Sequence, residues 1–141
     1  MIVLDTNVVS EIWRPKPSGI VVAWLDEQPV SSLYLCTPVL AELRYGVELL
    51  SMGGRKERLR SFVDELESSK YRGRILPLDA PAAAEFGRLA AERKRAGRRM
   101  RSMDGLIAAI ALSNRAAVAT RNFAHFDGVG VELINPFEAA R

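Results

Sequence analysis

Three carboxylates stand where the surrounding residues argue against them. Asp5 ends the apolar run Ile2-Val3-Leu4, Glu42 interrupts Val39-Leu-Ala-Glu-Leu43, and Asp104 precedes the apolar stretch Leu106-Ile-Ala-Ala-Ile-Ala-Leu112. Each has a plain alternative. Asp5 can be a turn residue, Glu42 a solvent-facing helix glutamate, and Asp104 a first-turn acid that the helix dipole stabilises by ~0.3–1 kcal/mol. If the three converge, their like charges raise one another's pKa unless a cation neutralises them. Hard oxygen donors of this kind suit Mg²⁺ or Mn²⁺. A metal so held polarises a phosphoryl oxygen and activates water for an in-line displacement.

The remaining reactive side chains narrow the choice. His125 is the sole histidine, too few for a His-based zinc site, and with no second partner apparent for a Ser-His-Asp triad it reads as a loop histidine. Cys36 is the sole cysteine; inside Leu33-Tyr-Leu-Cys36 it reads as a buried core thiol, which removes thiol chemistry. Carboxylate-held metal is what elimination leaves. The net charge of +3 tilts toward an anionic partner. Its distribution says more, because Arg88, Arg93, Lys94, Arg95, Arg98, Arg99 and Arg101 face only Glu92 in their segment. Such a run can be merely a solvated face, yet beside a metal site it would hold phosphates and make a nucleic-acid backbone the natural substrate.

These residues need elements to position them. A chain of 141 residues is read as one domain spanning 1–141 with a single core. No apolar run reaches the ~18 residues of a membrane span, and the N-terminus lacks the features of a signal peptide, so a cytoplasmic location is expected. The first strand ends at Asp5, and Val8 to Trp13 begins a helix that Pro15 and Pro17 stop. Ser18 caps a second helix, Ser31 to Cys36 is a short strand, and Thr37-Pro38 starts a helix that continues toward Gly53-Gly54. Another helix follows from Arg55. Arg74 to Asp79 reads as an edge strand because its proline would break a central ladder. Pro81 opens a long helix ending near Gly97, Ser102 caps an apolar helix packed on both sides, and Ala116–Ala119 and Val131–Ile134 are the last strands. Strands separated by helices argue for an α/β sandwich around a mostly parallel sheet.

Five segments, in order, carry a resemblance: Leu4-Asp-Thr-Asn7, Thr37-Pro-Val-Leu-Ala-Glu-Leu43, Asp104-Gly-Leu-Ile-Ala-Ala109, Ala119-Thr-Arg-Asn-Phe123 and Val131-Glu-Leu-Ile-Asn-Pro136. Together they resemble the motifs of PIN-domain proteins, specifically the VapC-type toxins of prokaryotic toxin–antitoxin pairs. The resemblance implies a three-layer α/β/α fold, a Mg²⁺- or Mn²⁺-dependent endoribonuclease, a homodimer, and a cognate antitoxin that neutralises it. Asp5, Glu42 and Asp104 match the family's acidic positions, with Asp5 and Asp104 as metal ligands, direct or through water, and Glu42 completing the cluster. Asn122 falls where many members carry a fourth acid, and the nearest acid, Asp127, reads as a turn residue. Thr6 and Thr120 can orient ligands or water, Asn7 and Glu11 can stabilise the turn and first helix, and all four are left outside the catalytic set. Two other classes stay open: a nucleic-acid- or partner-binding module of the same fold with little nuclease activity, and a phosphatase or receiver-like domain using Asp5 as phosphoacceptor, which Asn7 disfavours.

Overall fold

A computed structural model describes residues 1–138. The apolar run at the N-terminus forms strand β1, Ile2–Leu4, with Val3 and Leu4 fully buried. Asp5 turns the chain, and its side chain accepts from the Thr6 amide as cap of helix α1, Thr6–Trp13. The helix therefore begins two residues before Val8, because an aspartate at that point satisfies an amide the helix cannot. Helix α2, Gly19–Glu27, leads through a short 3-10 turn, Val30–Ser32, into β2, Leu33–Cys36.

Helix α3, Thr37–Leu49, starts without a break from β2 and carries its proline in the first turn, where no amide hydrogen is needed. Thr37 is not its cap; Cys36 holds that place and the Thr37 hydroxyl instead accepts from the Leu78 amide. Helix α4, Gly54–Glu65, follows, then the edge strand β3, Ile75–Leu76. Asp79 caps α5, Ala80–Arg95, by accepting from Ala82. Arg101, not Ser102, is the cap of α6, Ser102–Ser113. Strands β4, Ala117–Ala119, and β5, Leu133–Ile134, close the order.

Among the described residues the sheet has five strands in the order β3-β2-β1-β4-β5, all neighbours parallel. Val3 pairs with Tyr34 on one side and Val118 on the other, which places β1 at the centre. The chain winds outward from β1 through β2 to β3, then crosses back to β4 and β5. Right-handed crossovers put the helices of opposite winding directions on opposite faces, which gives the α/β/α layering. Side chains of Val3, Leu4, Leu35, Val39, Ile107, Ile110 and Val118 fill the core between the layers. Trp13 stacks on Phe62 at a centroid distance of 5.1 Å and joins α1 to α4, while Trp24 packs against the core. No helix among the described residues is long and apolar enough to cross a membrane.

Candidate functional site

Winding reverses between β1 and β4, and crevices in open parallel sheets form at that point, beyond the carboxyl ends of the strands. The ladder continues one residue past the strands there, since the Asp5 amide donates to Ala119 at 2.9 Å and the Thr120 amide to Ile134 at 2.9 Å. Asp5 and Thr120 thus leave adjacent strands side by side. The Thr120 hydroxyl, fully buried, donates to Asp5 Oδ2 at 2.7 Å, and the Asn7 amide donates to the same oxygen at 3.0 Å. Asp5 Oδ1 takes the Thr6 amide at 2.8 Å. A carboxylate only 4% exposed is tolerable because three donors offset its lost hydration.

Glu42 reaches the same place from α3. Its Oε1 accepts the Thr6 hydroxyl at 2.8 Å, so Thr6 links the first turn of α1 to α3 through one side chain. Asp104 arrives from the first turn of α6 and is buried. Asp5, Glu42 and Asp104 line one cavity of about 470 Å³ with Thr6, Asn7, Arg101, Ser102, Met103, Asn122 and His125. Burial pushes the Asp104 carboxyl above its ordinary range, and the charges of Asp5 and, less, Glu42 push the same way; His125 and Arg101 oppose them.

The structure gives tasks to the residues left outside the catalytic set. Thr6, Asn7 and Thr120 hold Asp5 and Glu42, and Asn7 also fixes the strand exit by accepting from the Arg121 amide at 3.1 Å. Their signal in the sequence was adjacency to Asp5 or to the end of β4. Glu11, by contrast, accepts from Arg14 and from the Ser18 amide and serves the turn after α1. His125 is not an ordinary loop histidine: it sits in the 3-10 helix Phe123–Phe126 with Nδ1 3.3 Å from Asp104 Oδ2. Asn122 lines the cavity, whereas exposed Asp127 lies outside it and faces Arg98 at 3.6 Å. Within the basic segment Arg88 is bound to Glu85 and Glu92, and Arg93 donates to the Asp127 carbonyl.

The donor set fits a hard divalent cation in its chemistry. Three carboxylates share the cavity, and the buried Asp104 Oδ2 has no hydrogen-bond partner among the described residues. No three acidic, histidine or cysteine side chains among the described residues are disposed to ligate one ion together. A cation would therefore take one or two side chains directly and the rest through water, the usual habit of Mg²⁺.

Comparison with known proteins bears on this arrangement. The PIN domain family model matches residues 2–130. VapC ribonuclease Y4jK of Sinorhizobium fredii is 39% identical over 140 residues, covering 99% of this chain and 100% of the relative. Toxin FitB of Neisseria gonorrhoeae is 41% identical over 137 residues, covering 97% and 99%. The structure of FitAB bound to an IR36 DNA fragment superposes with a TM-score of 0.92 at 39% identity, covering 100% of this chain and 99% of that one. With a matching family model over most of its length, and with relatives of this identity and coverage, the chain belongs to the PIN-domain family, in the branch of the VapC-type toxins.

Proposed function

We propose that the protein is a metal-dependent endoribonuclease toxin that hydrolyses RNA phosphodiester bonds and is neutralised by a cognate antitoxin. The observation that carries this reading is the meeting of Asp5, Glu42 and Asp104, from three elements far apart in sequence, in one cavity at the sheet's switch point. The toxin and ribonuclease names of its relatives support it. Asp5 and Asp104 would hold Mg²⁺ or Mn²⁺, directly or through water. The cation supplies polarisation of the phosphoryl group and of the attacking water.

The chain's own residues then have distinct tasks. Asp5 is fixed by Thr120, Asn7 and the Thr6 amide, so it presents its charge without rearrangement. Glu42, held by Thr6, orients the attacking water. Arg101 stands on the cavity wall as a phosphate partner. A neighbouring cavity of about 260 Å³, lined by Ala90, Lys94, Arg99, Met100 and Ser102, shares Ser102 with the acid cavity. An RNA backbone lying along both would meet cations first and the acids next. Contacts of this kind position the strand and carry no base information.

Partners rest on the same reading. A homodimer in the cytoplasm, bound by a small antitoxin, is the form proposed for the cell. Exposed Tyr45 and Leu49, one turn apart on α3, and Met52 beyond its end leave apolar surface for a protein partner. The decisive experiment is RNA cleavage by wild type and Asp5→Asn in Mg²⁺ or Mn²⁺. Asparagine also caps helices well, so the variant should fold and lose cleavage. Equal cleavage by both removes the site assignment. If wild type neither cleaves RNA nor binds Mn²⁺ at millimolar concentration, the protein is a binding module instead.

A further inference from the structure

Asp104 and His125 approach to ion-pair distance without a hydrogen bond. His125 Nδ1 lies 3.3 Å from Asp104 Oδ2, both side chains line the acid cavity, and yet that buried oxygen makes no hydrogen bond. An aspartate–histidine pair serving only structure would turn this contact into a hydrogen bond, because a buried oxygen left without one is destabilising. Donor atoms on adjacent positions of one octahedral cation behave otherwise. At metal–ligand distances of about 2.1 Å they stand about 3 Å apart, each directed at the ion and not at the other. The observed spacing and the missing hydrogen bond fit that second arrangement.

The local fold holds His125 in this place. Its backbone amide donates to the Asn122 carbonyl at 3.0 Å, and the next residue, Phe126, is almost fully buried, so the short helix is pinned on both sides of the imidazole. Asn122 lines the same cavity without contributing a charge. An imidazole nitrogen supplies a lone pair where a carboxylate is missing.

We propose that His125 is a metal donor, its Nδ1 joining Asp104 Oδ2 on one divalent cation and making the site a mixed oxygen–nitrogen one. This deepens the metal-dependent reading of the acid cavity and rests on it. Asp5 and Glu42 then act on the ion through water, in keeping with the lack of a three-ligand group among the described residues. The consequence is metal preference. Imidazole suits the later first-row ions while carboxylate and water suit Mg²⁺, so Mn²⁺ and Co²⁺ gain over Mg²⁺ relative to an all-carboxylate site.

Because His125 is the only histidine, labelling with ¹⁵N-histidine addresses it alone in the untagged full chain. Pulsed EPR of bound Mn²⁺ should show nitrogen coupling that changes from the ¹⁴N to the ¹⁵N pattern on labelling. His125→Ala should lose the coupling and bind Mn²⁺ more weakly, on the order of 10- to 100-fold, with a smaller change for Mg²⁺. Wild-type Mn²⁺ lacking histidine coupling overturns the proposal and needs no variant to fold. If Asp5→Asn or Asp104→Asn weakens Mn²⁺ binding while His125→Ala does not, only the donor role of His125 falls. If wild type binds no Mn²⁺ at millimolar concentration, the metal-dependent reading falls with it.

Discussion

Thr120 carries more of the site than its small side chain suggests. Its hydroxyl has one proton, given to Asp5 Oδ2 at 2.7 Å, and its oxygen accepts from the Asn122 amide at 3.0 Å and the Asn7 side chain at 3.3 Å. With no exposure to solvent, no water can replace these bonds. Thr120→Val keeps the shape and removes the hydroxyl, leaving a buried carboxylate short of a donor. Stability should fall by about 1–3 kcal/mol, read from the shift of a urea unfolding midpoint at unchanged slope. Asp5, still accepting from the Thr6 amide, would be less firmly aimed, so cleavage should fall as well. An unchanged midpoint would show that the hydroxyl contributes nothing net. The sequence offered Asp5, Glu42 and Asp104 as acids in unlikely company and Thr120 as a residue that could orient ligands or water, but its partner, Asp5 Oδ2, is fixed only once β4 lies beside β1.

At the scale of elements, the position of Asp104 depends on how closely α5 approaches α6. Gly105 is the point of approach: a Cβ added there would lie 2.9 Å from the Phe86 ring, well inside contact distance. The glycine is needed for space and not for backbone freedom. Gly105→Ala should force Phe86 and α5 outward and destabilise by about 1–3 kcal/mol despite alanine's better helix propensity. Thermal unfolding measures this, and a stabilised variant would mean the ring turns aside without strain. Since Asp104 is the preceding residue, metal affinity should weaken together with stability. The apolar pattern of α6 predicts burial on both sides, and Ile107 through Ala111 are indeed buried. Pattern alone could not say that α5 supplies one of those sides, because an alanine-rich helix fits many neighbours equally.

For the whole molecule, Cys36 reports integrity. It ends β2 and is the residue from which α3 departs, with no exposure to solvent. Burial above all pushes its thiol up to about 12 from 9.0, the nearby charges of Asp5 and Glu42 adding to the rise against a lowering backbone hydrogen bond from Val39. The native thiol should therefore stay protonated and resist alkylation at pH 8, reacting only as the chain unfolds; rapid labelling of native protein would contradict the burial. The unfolded thiol ionises near 9.0 while the folded one does not, so this group is without effect below pH 9 and lowers stability as pH rises from there toward 12. Sequence by itself determined the alternation of strands and helices, the edge position of β3 through Pro77, which stands directly after the strand, the candidate acids and the basic segment, since each follows from local chemistry: hydrophobic runs, proline geometry, and charge where burial should forbid it. It could not assign Asp127 or His125, which lie two residues apart in one loop. Only the tertiary structure decided that His125 enters the acid cavity while Asp127 faces outward, because that depends on how a short 3-10 helix anchored by Phe126 is rotated against α6. The same holds for Asp5 and Thr120, 115 residues apart and bonded solely because parallel pairing sets the ends of β1 and β4 level.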